Sequence, residues 1–539
     1  MALMPGCSTI RVAGARAGGA VTRPGWWSSR VVVPLGALAA AVPLVWPRIP
    51  PFADVPGHMA SYHVSIALAT SPTLQRFFEF DWHLVGNLGV DLLVVPLAHL
   101  MGVEAATKLI VLAIPALTAL ALLLLARQTH GRLPATALAA VPLAYNFPFL
   151  WGFVNYSLGA AMALLGLVLW QHWPSDRRPL LRLATFALIA AAVWLAHAIG
   201  WVMLVAMCGS FELHRRVSSR EGAGTRPIVR ALAGTAVACV GLALPLVLMR
   251  LSQHADQGGM FGWFWMHQIF WASARLIRDR WPLWDGASLA VLLVLGVAAL
   301  FRVAGLRLAL PLLLPALALT ALFICLPMSI DGSLYVNTRI VPYALALGIV
   351  SIDTARLTSS RQALLALGAA LFCAARLIGN AASFYLYDQS YSRELAALDH
   401  LPHGATVLTL VEMGCNPGEQ PRLEHIAGMA TVRRDAYVNV LWTIKGLQLL
   451  RDRMPQTAPF RQDPSEFVSP ARCATHQPAR AAFATAPLNA FTHVWLIGVP
   501  IDERPTDRRL VPLWAAGSSV LYRITPAASV ARQQLRPAK

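Results

Sequence analysis

The first apolar segment of the chain is followed directly by PPFADVPGHMASYH, residues 50–63. This stretch carries an acid, Asp54, and a histidine, His58, four residues later, just past a proline-rich turn. A carboxylate at the edge of a bilayer is costly to keep there, because the water that would solvate it is scarce. Asp54 is therefore a candidate for function, and we expect the chain around it to be a membrane scaffold.

The composition indicates a polytopic membrane protein. Of the 539 residues, 57% are hydrophobic and 13% are charged, which is too few charges to cover a soluble protein of this length. The net charge of +18 comes mostly from arginines in short loops between apolar runs, so topology and anionic lipid headgroups explain it. Basic runs interleaved with aromatic residues are absent from the sequence, so nucleic acid is not expected as a partner.

The N-terminal segment, residues 1–30, is basic and contains no acid. We expect the apolar run 31–46 that follows to be an uncleaved anchor, although a signal peptide cut near residues 39–41 is the alternative. In both cases the positive-inside rule places the N-terminus in the cytoplasm and residue 50 outside.

The apolar segments predict about eleven membrane-spanning helices. Residues 86–101 are too short to span, and leaving them on the outer surface places the arginine-rich loops inside. The predicted membrane domain is 31–387, with its first outer loop at 47–106. After the anchor, spans are predicted at about 107–126, 134–151, 153–170, 183–197, 199–213, 231–250, 285–301, 308–328, 339–353 and 363–379.

Residues 388–539 have the composition of a soluble domain. A helix is predicted at 392–401, and short β-branched runs predict strands at 405–411, 493–499 and 519–524. We expect one small α/β domain packed over the outer face of the membrane, in the periplasm. Cys415 and Cys473 would share an oxidising compartment there, where they either form a disulfide or stay unpaired.

Asp54 and His58 form the candidate catalytic pair. An outward-facing carboxylate can act as a general base that activates an acceptor hydroxyl or amine. A helix beginning at Pro56 would place His58 on the same face as Asp54, where it could orient the carboxylate or bind phosphate. In the structural alternative, Asp54 caps that helix and His58 lies at the level of the lipid headgroups.

Several polar residues near the predicted outer surface are candidates for binding an acceptor or a sugar. Each has a structural alternative: a polar stripe facing water, an ordinary turn with an interfacial tyrosine, or a polar cap at a helix break. These candidates are Asn87, Asp91, Asn155, Tyr156, His197 and Asp331.

The outer loop 251–284 combines aromatic residues with arginines. Aromatic residues at the interface beside cations suit a lipid with a phosphate headgroup, and an amphipathic surface helix on bulk anionic lipid is the alternative. Arg275 and Arg278 are expected on one helical face. Arg339 begins a span from the outside, where either a phosphate partner or snorkelling would explain its charge. The candidate phosphate ligands are Arg275, Arg278, Arg280 and Arg339.

Familiar nucleotide and metal motifs are missing from the sequence. It contains no Walker loop, Rossmann fingerprint or H-E-x-x-H motif, and no pair of Cys residues has zinc spacing. No metal site is predicted. A divalent cation as cofactor is left open, but the sequence does not support one. Because no nucleotide-binding motif is present, we expect a substrate that is already activated before it reaches this protein.

The chain resembles the GT-C superfamily of integral-membrane glycosyltransferases. The resemblance is carried by the motif FADVPGH at residues 52–58, an inside N-terminus with one span before a long outer loop, a span starting near Lys108, the hydrophobic surroundings of His197, and the C-terminal α/β domain. The superfamily includes protein mannosyltransferases, lipid A aminoarabinose transferases, oligosaccharyltransferases and many bacterial members without an assigned substrate. The resemblance implies a mainly α, polytopic fold.

The resemblance also implies that Asp54 is the catalytic acid of the first outer loop, and that arginines hold the phosphate of a polyprenyl-phosphate sugar donor. Many members place a second acid in the next outer loop, where it is implicated in metal or acceptor binding. The corresponding loop here, residues 152–155, has no acid. Asp81, Asp91 or Asp331 would have to replace it.

These observations predict an enzyme of the inner membrane that transfers a sugar, with inversion, from a polyprenyl phosphate to a cell-envelope glycan, lipid or protein. Membrane lipids are the other expected partners. The alternatives are a flippase or transporter for a lipid-linked glycan, with Asp54 in a gate, and a non-catalytic binder or sensor. The polar residues collect at the predicted outer edge rather than in the membrane centre, which favours the enzyme.

Overall fold

The computed structural model describes residues 25–174, 177–218, 227–252, 260–263, 266–330, 333–415, 420–446, 448–473 and 476–525. Most of the predicted basic segment 1–30 and the candidate Asp331 lie outside the described residues.

Most of the described chain is helical. The helices before the C-terminal sheet are α1 Val32–Ala41, α2 Val55–Ala67, α3 Pro72–Phe77, α4 Gly89–Met101, α5 Val103–His130, α6 Phe147–Trp151, α7 Val154–His172, α8 Pro179–Ala196, α9 Ala198–Ser218, α10 Pro227–Ala238, α11 Leu244–Leu251, α12 Met266–Arg275, α13 Pro282–Leu300, α14 Leu310–Cys325, α15 Val341–Val350 and α16 Ser359–Leu395. Within the C-terminal part lie α17 Gly428–Arg434 and α18 Ala479–Thr485.

Within the described residues, five helices are long and apolar enough to cross a membrane, and a sixth span results if α10 and α11, which meet at a 57° bend, count as one. The five are the helices α5, α7, α8, α13 and the long helix that contains α16. The other predicted spans correspond to α9 and to shorter apolar helices. The fold is therefore that of a helical membrane protein, and the predicted number of about eleven spans is not confirmed.

The predicted span 134–151 is wrong as a continuous helix. It consists of a 3-10 helix, Ala137–Ala144, followed by the short helix α6. Pro142 and Pro148 lie in these two pieces, and each proline lacks the backbone N–H that a regular α-helix needs. The interruption places α6 at the level of the candidate site.

Helix α4 has 13 residues and covers the predicted segment 86–101. At 1.5 Å per residue it is about 20 Å long, shorter than the hydrocarbon core of a bilayer at about 30 Å. It packs against α5, α7 and α2. Its length agrees with the prediction that this segment does not cross.

The helix predicted at 392–401 is present, but it is the end of a longer helix. Helix α16 runs without a break for 37 residues and continues into a 3-10 turn at Ala396–His400. The sequence changes from apolar to polar near residue 387, but that change lies along one helix rather than between two. The helix therefore passes through the predicted boundary between membrane domain and outer domain.

The predicted strands of the C-terminal part are confirmed. The twelve strands are β1 Phe78–Phe80, β2 Met260–Phe261, β3 Arg307–Leu308, β4 Ser329–Ile330, β5 Ile352–Asp353, β6 Thr406–Glu412, β7 Tyr437–Val438, β8 Leu450–Asp452, β9 Phe467–Val468, β10 His493–Ile497, β11 Leu510–Ala516 and β12 Ser519–Ile524. Six of them form one mixed sheet in the order β11-β12-β10-β6-β7, with β9 also paired to β6. Strands β6, β7, β9 and β10 pair in parallel, and β12 pairs antiparallel to β10 and β11.

Two contacts join this sheet domain to the first predicted outer loop. Strand β1 pairs antiparallel with β8, and Phe78 lies opposite Asp452. Helix α17 packs very closely against α2. A Cβ on Gly428, the first residue of α17, would lie only 2.8 Å from the carbonyl oxygen of Pro56. The C-terminal domain therefore contributes residues directly to the surroundings of Asp54.

Candidate active site

Asp54 immediately precedes the first residue of α2, and only 6% of it is exposed. Its backbone N–H donates to the carbonyl of Trp151 at 3.0 Å, and its own carbonyl accepts from His58 N at 2.9 Å. The side chain makes no helix-capping hydrogen bond. The alternative prediction, in which the side chain of Asp54 caps helix α2, is therefore wrong.

The loop after α6 packs directly against Asp54. Gly152 has a φ of 114°, and a Cβ there would lie 2.9 Å from both the Cβ and the backbone nitrogen of Asp54. Only glycine meets both requirements, a left-handed backbone and the close approach. The two predicted outer loops therefore meet at the candidate catalytic acid.

The titratable partner of Asp54 is His425, not His58. Nε2 of His425 lies 3.9 Å from Oδ1 of Asp54, 3.5 Å from Oε1 of Glu424 and 3.8 Å from Oδ1 of Asp463. His58 instead stacks against Trp442, with ring centroids 5.0 Å apart. The carboxylate of Glu466, which is completely buried, belongs to the same group of charges.

This acidic group sets the protonation of Asp54. Burial raises the pKa of Asp54 well above its ordinary value; His425 and Arg339 lower it, while Glu424 and Asp463 raise it further. Burial alone would lower the pKa of His425, but Glu424, Asp463 and Asp54 together raise it to about 10. A raised pKa makes the ionised carboxylate a stronger base, which suits the transfer of a proton to it from an acceptor.

Arg339 lies on the other side of this site. Its guanidinium carbon stacks 3.8 Å from the centroid of the Phe153 ring, and it donates to the carbonyl of Leu334 at 2.6 Å. The hydroxyl of Tyr156 donates to the carbonyl of Arg339 at 2.8 Å. Tyr156 is fully buried and thus positions Arg339, which is a role other than the predicted sugar contact.

An apolar cavity of about 310 Å³ lies next to the site, and Arg275 is the charged residue in its wall. The guanidinium carbon of Arg275 lies 5.6 Å from the Phe147 ring and 5.3 Å from the Tyr335 ring. Phe147 belongs to α6, whose last residue, Trp151, accepts the backbone hydrogen bond from Asp54. One short helix therefore borders both the cavity and the acid. The cavity wall consists of Phe147, Gln268, Trp271, Ala272, Arg275, Leu276, Met328, Tyr335, Thr338 and Pro342.

The prediction that Arg275 and Arg278 share a helical face is wrong. Helix α12 ends at Arg275, and Arg278 lies in the following turn, where its N–H donates to the Arg275 carbonyl at 3.1 Å. The guanidinium of Arg280 stacks on Tyr387 at 4.0 Å. Of these three arginines, the structure places Arg275 in the cavity wall.

Four other candidates come together in a small polar pocket of about 20 Å³, which holds about one water molecule. His58, Asn87, Asp91 and Asn155 all line it. The Asn155 amide donates to the Asn87 carbonyl and to Asp91 Oδ2, each at 2.9 Å, and its oxygen accepts from Val90 N at 2.6 Å. Asn155 therefore holds the start of α4.

His197 occupies the break between α8 and α9 and is buried. Its Nδ1 accepts from the backbone N–H of Ile199 at 3.1 Å, and its ring lies 5.3 Å from the ring of Tyr156. This arrangement is the polar cap at a helix break that the sequence offered as the structural alternative.

The sequence analysis missed the charged residues that the C-terminal domain supplies. Buried Arg422 donates to the carbonyls of Pro51 at 2.5 Å and Leu150 at 2.8 Å, and it pairs with Asp279 at 2.6 Å. The other missed residues are Glu424, His425, Asp463 and Glu466. The adjacent Glu-His pair at 424–425 was visible in the sequence, but it matches no metal or catalytic spacing.

A further carboxylate beside Asp54 also comes from the C-terminal domain. Glu424 lies beside Asp54, whereas Asp81 is near the surface and pairs with Arg451 at 3.3 Å.

The structure joins Cys415 and Cys473 in a disulfide, with Cα atoms 5.2 Å apart.

Two overlapping sets of residues have donor atoms close enough to hold a metal ion. In each set the atoms lie within 4.8 Å of one another. One set is Asp54, Glu424 and His425, and the other is His425, Asp463 and Glu466. Because both need Nε2 of His425, only one of them can be used at a time.

The chain is similar to a solved structure. The crystal structure of ArnT from Cupriavidus metallidurans bound to undecaprenyl phosphate aligns with 92% of this chain and 97% of that chain, at 11% sequence identity and a TM-score of 0.46. No family model and no curated protein matches the chain. Similarity at this level does not carry an argument about function, so the proposal below rests on the geometry of the site.

Proposed function

We propose that the protein transfers a sugar from a polyprenyl-phosphate donor to a cell-envelope acceptor on the outer side of the membrane, with Asp54 as general base. The observation that carries the proposal is the position of Asp54: a buried carboxylate with a raised pKa, joined through α6 to an apolar cavity whose wall contains Arg275. The cavity suits a prenyl chain, and the arginine suits the phosphate to which the chain is attached.

The reaction follows from these roles. Asp54 takes the proton from an acceptor hydroxyl or amine, whose freed electron pair attacks the anomeric carbon of the sugar. The bond between that carbon and the phosphate oxygen breaks, the electron pair stays on the oxygen, and polyprenyl phosphate leaves. Attack opposite to the leaving group inverts the anomeric configuration. Arg275 stabilises the negative charge that develops on the phosphate.

Transport of a lipid-linked glycan is less well supported. Ionisable groups in the membrane centre often mark a transport pathway. Among the described residues, the buried pair Asp285 and Arg376 joins α13 to α16, but the two side chains neutralise each other at 2.7 Å. A group of buried charges that do not pair one to one lies around Asp54, at the contact with the C-terminal domain.

The test is a complementation experiment in the native host. The gene is deleted and replaced by wild type, Asp54→Asn or Glu79→Gln at matched membrane levels. Glu79 is a suitable control because it lies in the same loop but is exposed and pairs with Arg453 at the surface. Mass spectrometry then measures polyprenyl-phosphate sugars and envelope glycans.

We expect Asp54→Asn to lower transfer by about 100-fold or more, the usual contribution of a general base. A lipid-linked sugar should accumulate and one glycan should lack a single sugar mass, while Glu79→Gln restores both. Restoration by Asp54→Asn would refute the catalytic assignment and favour a binding or transport function.

A further inference from the structure

His425 presents one ring nitrogen to the acidic group in a fixed orientation. Its Nδ1 lies 2.7 Å from the carbonyl oxygen of Val440, so Nδ1 must carry the proton and donate it. The other nitrogen, Nε2, then points toward the carboxylates. Histidines that bind metals usually donate their second ring nitrogen to a carbonyl or carboxylate in this way, because the hydrogen bond fixes the tautomer.

The distances from Nε2 to the surrounding carboxylates are longer than those of typical charged hydrogen bonds. The shortest three are 3.5, 3.8 and 3.9 Å, whereas a charged N–H···O bond is about 2.7–2.9 Å long. Two atoms that each lie about 2.1 Å from one cation are separated by about 3.0 to 4.2 Å, depending on their angle. The 3.8 Å between Nε2 and Oδ1 of Asp463 falls within this range, and the donor atoms of His425, Asp463 and Glu466 all lie within 4.8 Å of one another.

Glu466 is the observation that selects the site. It is 0% exposed, and within the described part of the chain neither of its carboxylate oxygens has a hydrogen-bond partner. Oδ1 of Asp463 also lacks one there. A buried carboxylate without a partner is strongly unfavourable, so these three oxygens require a cation or a proton.

The alternative set, Asp54 with Glu424 and His425, has a weaker claim. There, one carboxylate oxygen, Oε2 of Glu424, is buried and without a partner among the residues described. We therefore infer that His425, Asp463 and Glu466 bind a divalent transition-metal ion, Zn²⁺ or Mn²⁺, inside the C-terminal domain. A ligand set of one imidazole and two carboxylates suits these metals better than Mg²⁺ or Ca²⁺, which prefer oxygen ligands alone.

The ion would hold together two segments of the C-terminal domain, the one before α17 and the one before β9. It would also fix His425 beside Asp54, since Nε2 would be coordinated rather than protonated. The site does not depend on sugar transfer, because its ligands and its metal content can be measured without any substrate.

The experiment uses the full-length protein, purified in detergent without a polyhistidine tag or chelator. Inductively coupled plasma mass spectrometry measures its Zn²⁺ and Mn²⁺ content, and absorption after Co²⁺ replacement reports on the ligand field. Four proteins are compared: wild type, Asp463→Asn, Glu466→Gln and Asp54→Asn. Asp463 is partly exposed, so Asp463→Asn tests the site even if the change at the fully buried Glu466 prevents folding.

We expect about one ion per chain in wild type and in Asp54→Asn, and an affinity at least about 100-fold lower in Asp463→Asn and Glu466→Gln. Wild type that holds no stoichiometric metal, even after reloading, would overturn the inference and leave a doubly protonated His425 as the cation. Loss of metal in Asp54→Asn would also overturn it, because the ion would then belong to the other ligand set. Either result is separate from the complementation test of transfer.

Discussion

Gly152 shows how strictly the position of Asp54 is controlled by its neighbours. The glycine combines a φ of 114° with direct contact to the backbone of Asp54. His58, by contrast, contacts Trp442, and burial lowers its pKa to about 3 with a smaller contribution from His425. It therefore stays neutral in the folded protein, and the imidazole beside the carboxylate of Asp54 is that of His425.

Gly152→Ala is expected to lower transfer activity by more than about 10-fold, because the new methyl group has to displace Asp54. Gly131→Ala is the matched control. Gly131 also has a positive φ, 72°, but no atom lies within 4 Å of its Cβ position. Both variants pay a similar backbone strain of about 1 kcal/mol, and Gly152→Ala adds the clash with Asp54, so activity is compared per folded molecule. Equal activity in the two variants would contradict the role of this contact.

Among the secondary-structure elements, α6 and α17 matter most for the site. Helix α6 lies between the cavity and Asp54, and α17 brings the segment with His425 against α2. Arg422 ties these parts together, because its guanidinium bonds to the loop before α2, to α6 and to the loop before α13.

Arg422→Met should destabilise the protein by about 3–5 kcal/mol, because it leaves the buried carboxylate of Asp279 without its partner. It should also reduce activity per folded molecule, since Pro51 and Leu150 lose their contacts next to Asp54. Arg376→Met is the control. It breaks a similar buried pair with Asp285 between α13 and α16, so stability should fall while activity per folded molecule persists. Unchanged activity per folded molecule in both variants would refute this role of Arg422.

Strand β10 supplies a pH-dependent contribution to stability. Burial, with a smaller contribution from Arg523, lowers the pKa of His493 to about 4. The unfolded chain binds a proton there below about pH 6.5, whereas the folded chain does so only near pH 4. Stability is therefore fully present above pH 6.5 and is lost as the pH falls toward 4.

The His493→Gln variant should lose less stability than wild type between pH 7.5 and pH 5, by about 1–2 kcal/mol. Thermal unfolding in detergent at the two pH values measures the difference. Parallel loss of stability in both proteins would show that other groups cause the acid sensitivity.

At the scale of the whole molecule, the membrane orientation of the chain is defined by the side that each loop faces. The arginine distribution predicts the loop around Arg356 inside and the C-terminal domain outside. Both Arg356 and Arg508 are exposed in the structure, so they are suitable positions for labelling.

In a background that retains only the cysteines of the disulfide, Arg508→Cys should react in intact cells with a membrane-impermeant maleimide, and Arg356→Cys should react only after the membrane is opened. The outer membrane must first be made permeable to the reagent. Reaction of Arg356→Cys in the closed cells would reverse the predicted orientation and place Asp54 on the cytoplasmic side.

Local sequence patterns were sufficient for the parts of this protein that depend on neighbouring residues. The apolar segments, the strands β6, β10 and β12 and the short helix α4 follow from composition and period. The sequence patterns did not predict how far α16 continues, because tertiary packing can extend a helix beyond its apolar segment. They also did not predict that α6 interrupts a span, because packing can accommodate a broken helix.

The partners of Asp54 were decided by tertiary structure alone. His425, Glu424 and Arg422 reach the first outer loop because α17 packs on α2, an approach that two small residues, Gly57 and Gly428, make possible. Such contacts leave no period or spacing in the sequence, since residues far apart along the chain meet only when the C-terminal domain folds over the loop. The acid was thus predictable from its local setting, whereas its electrostatic environment exists only in the folded protein.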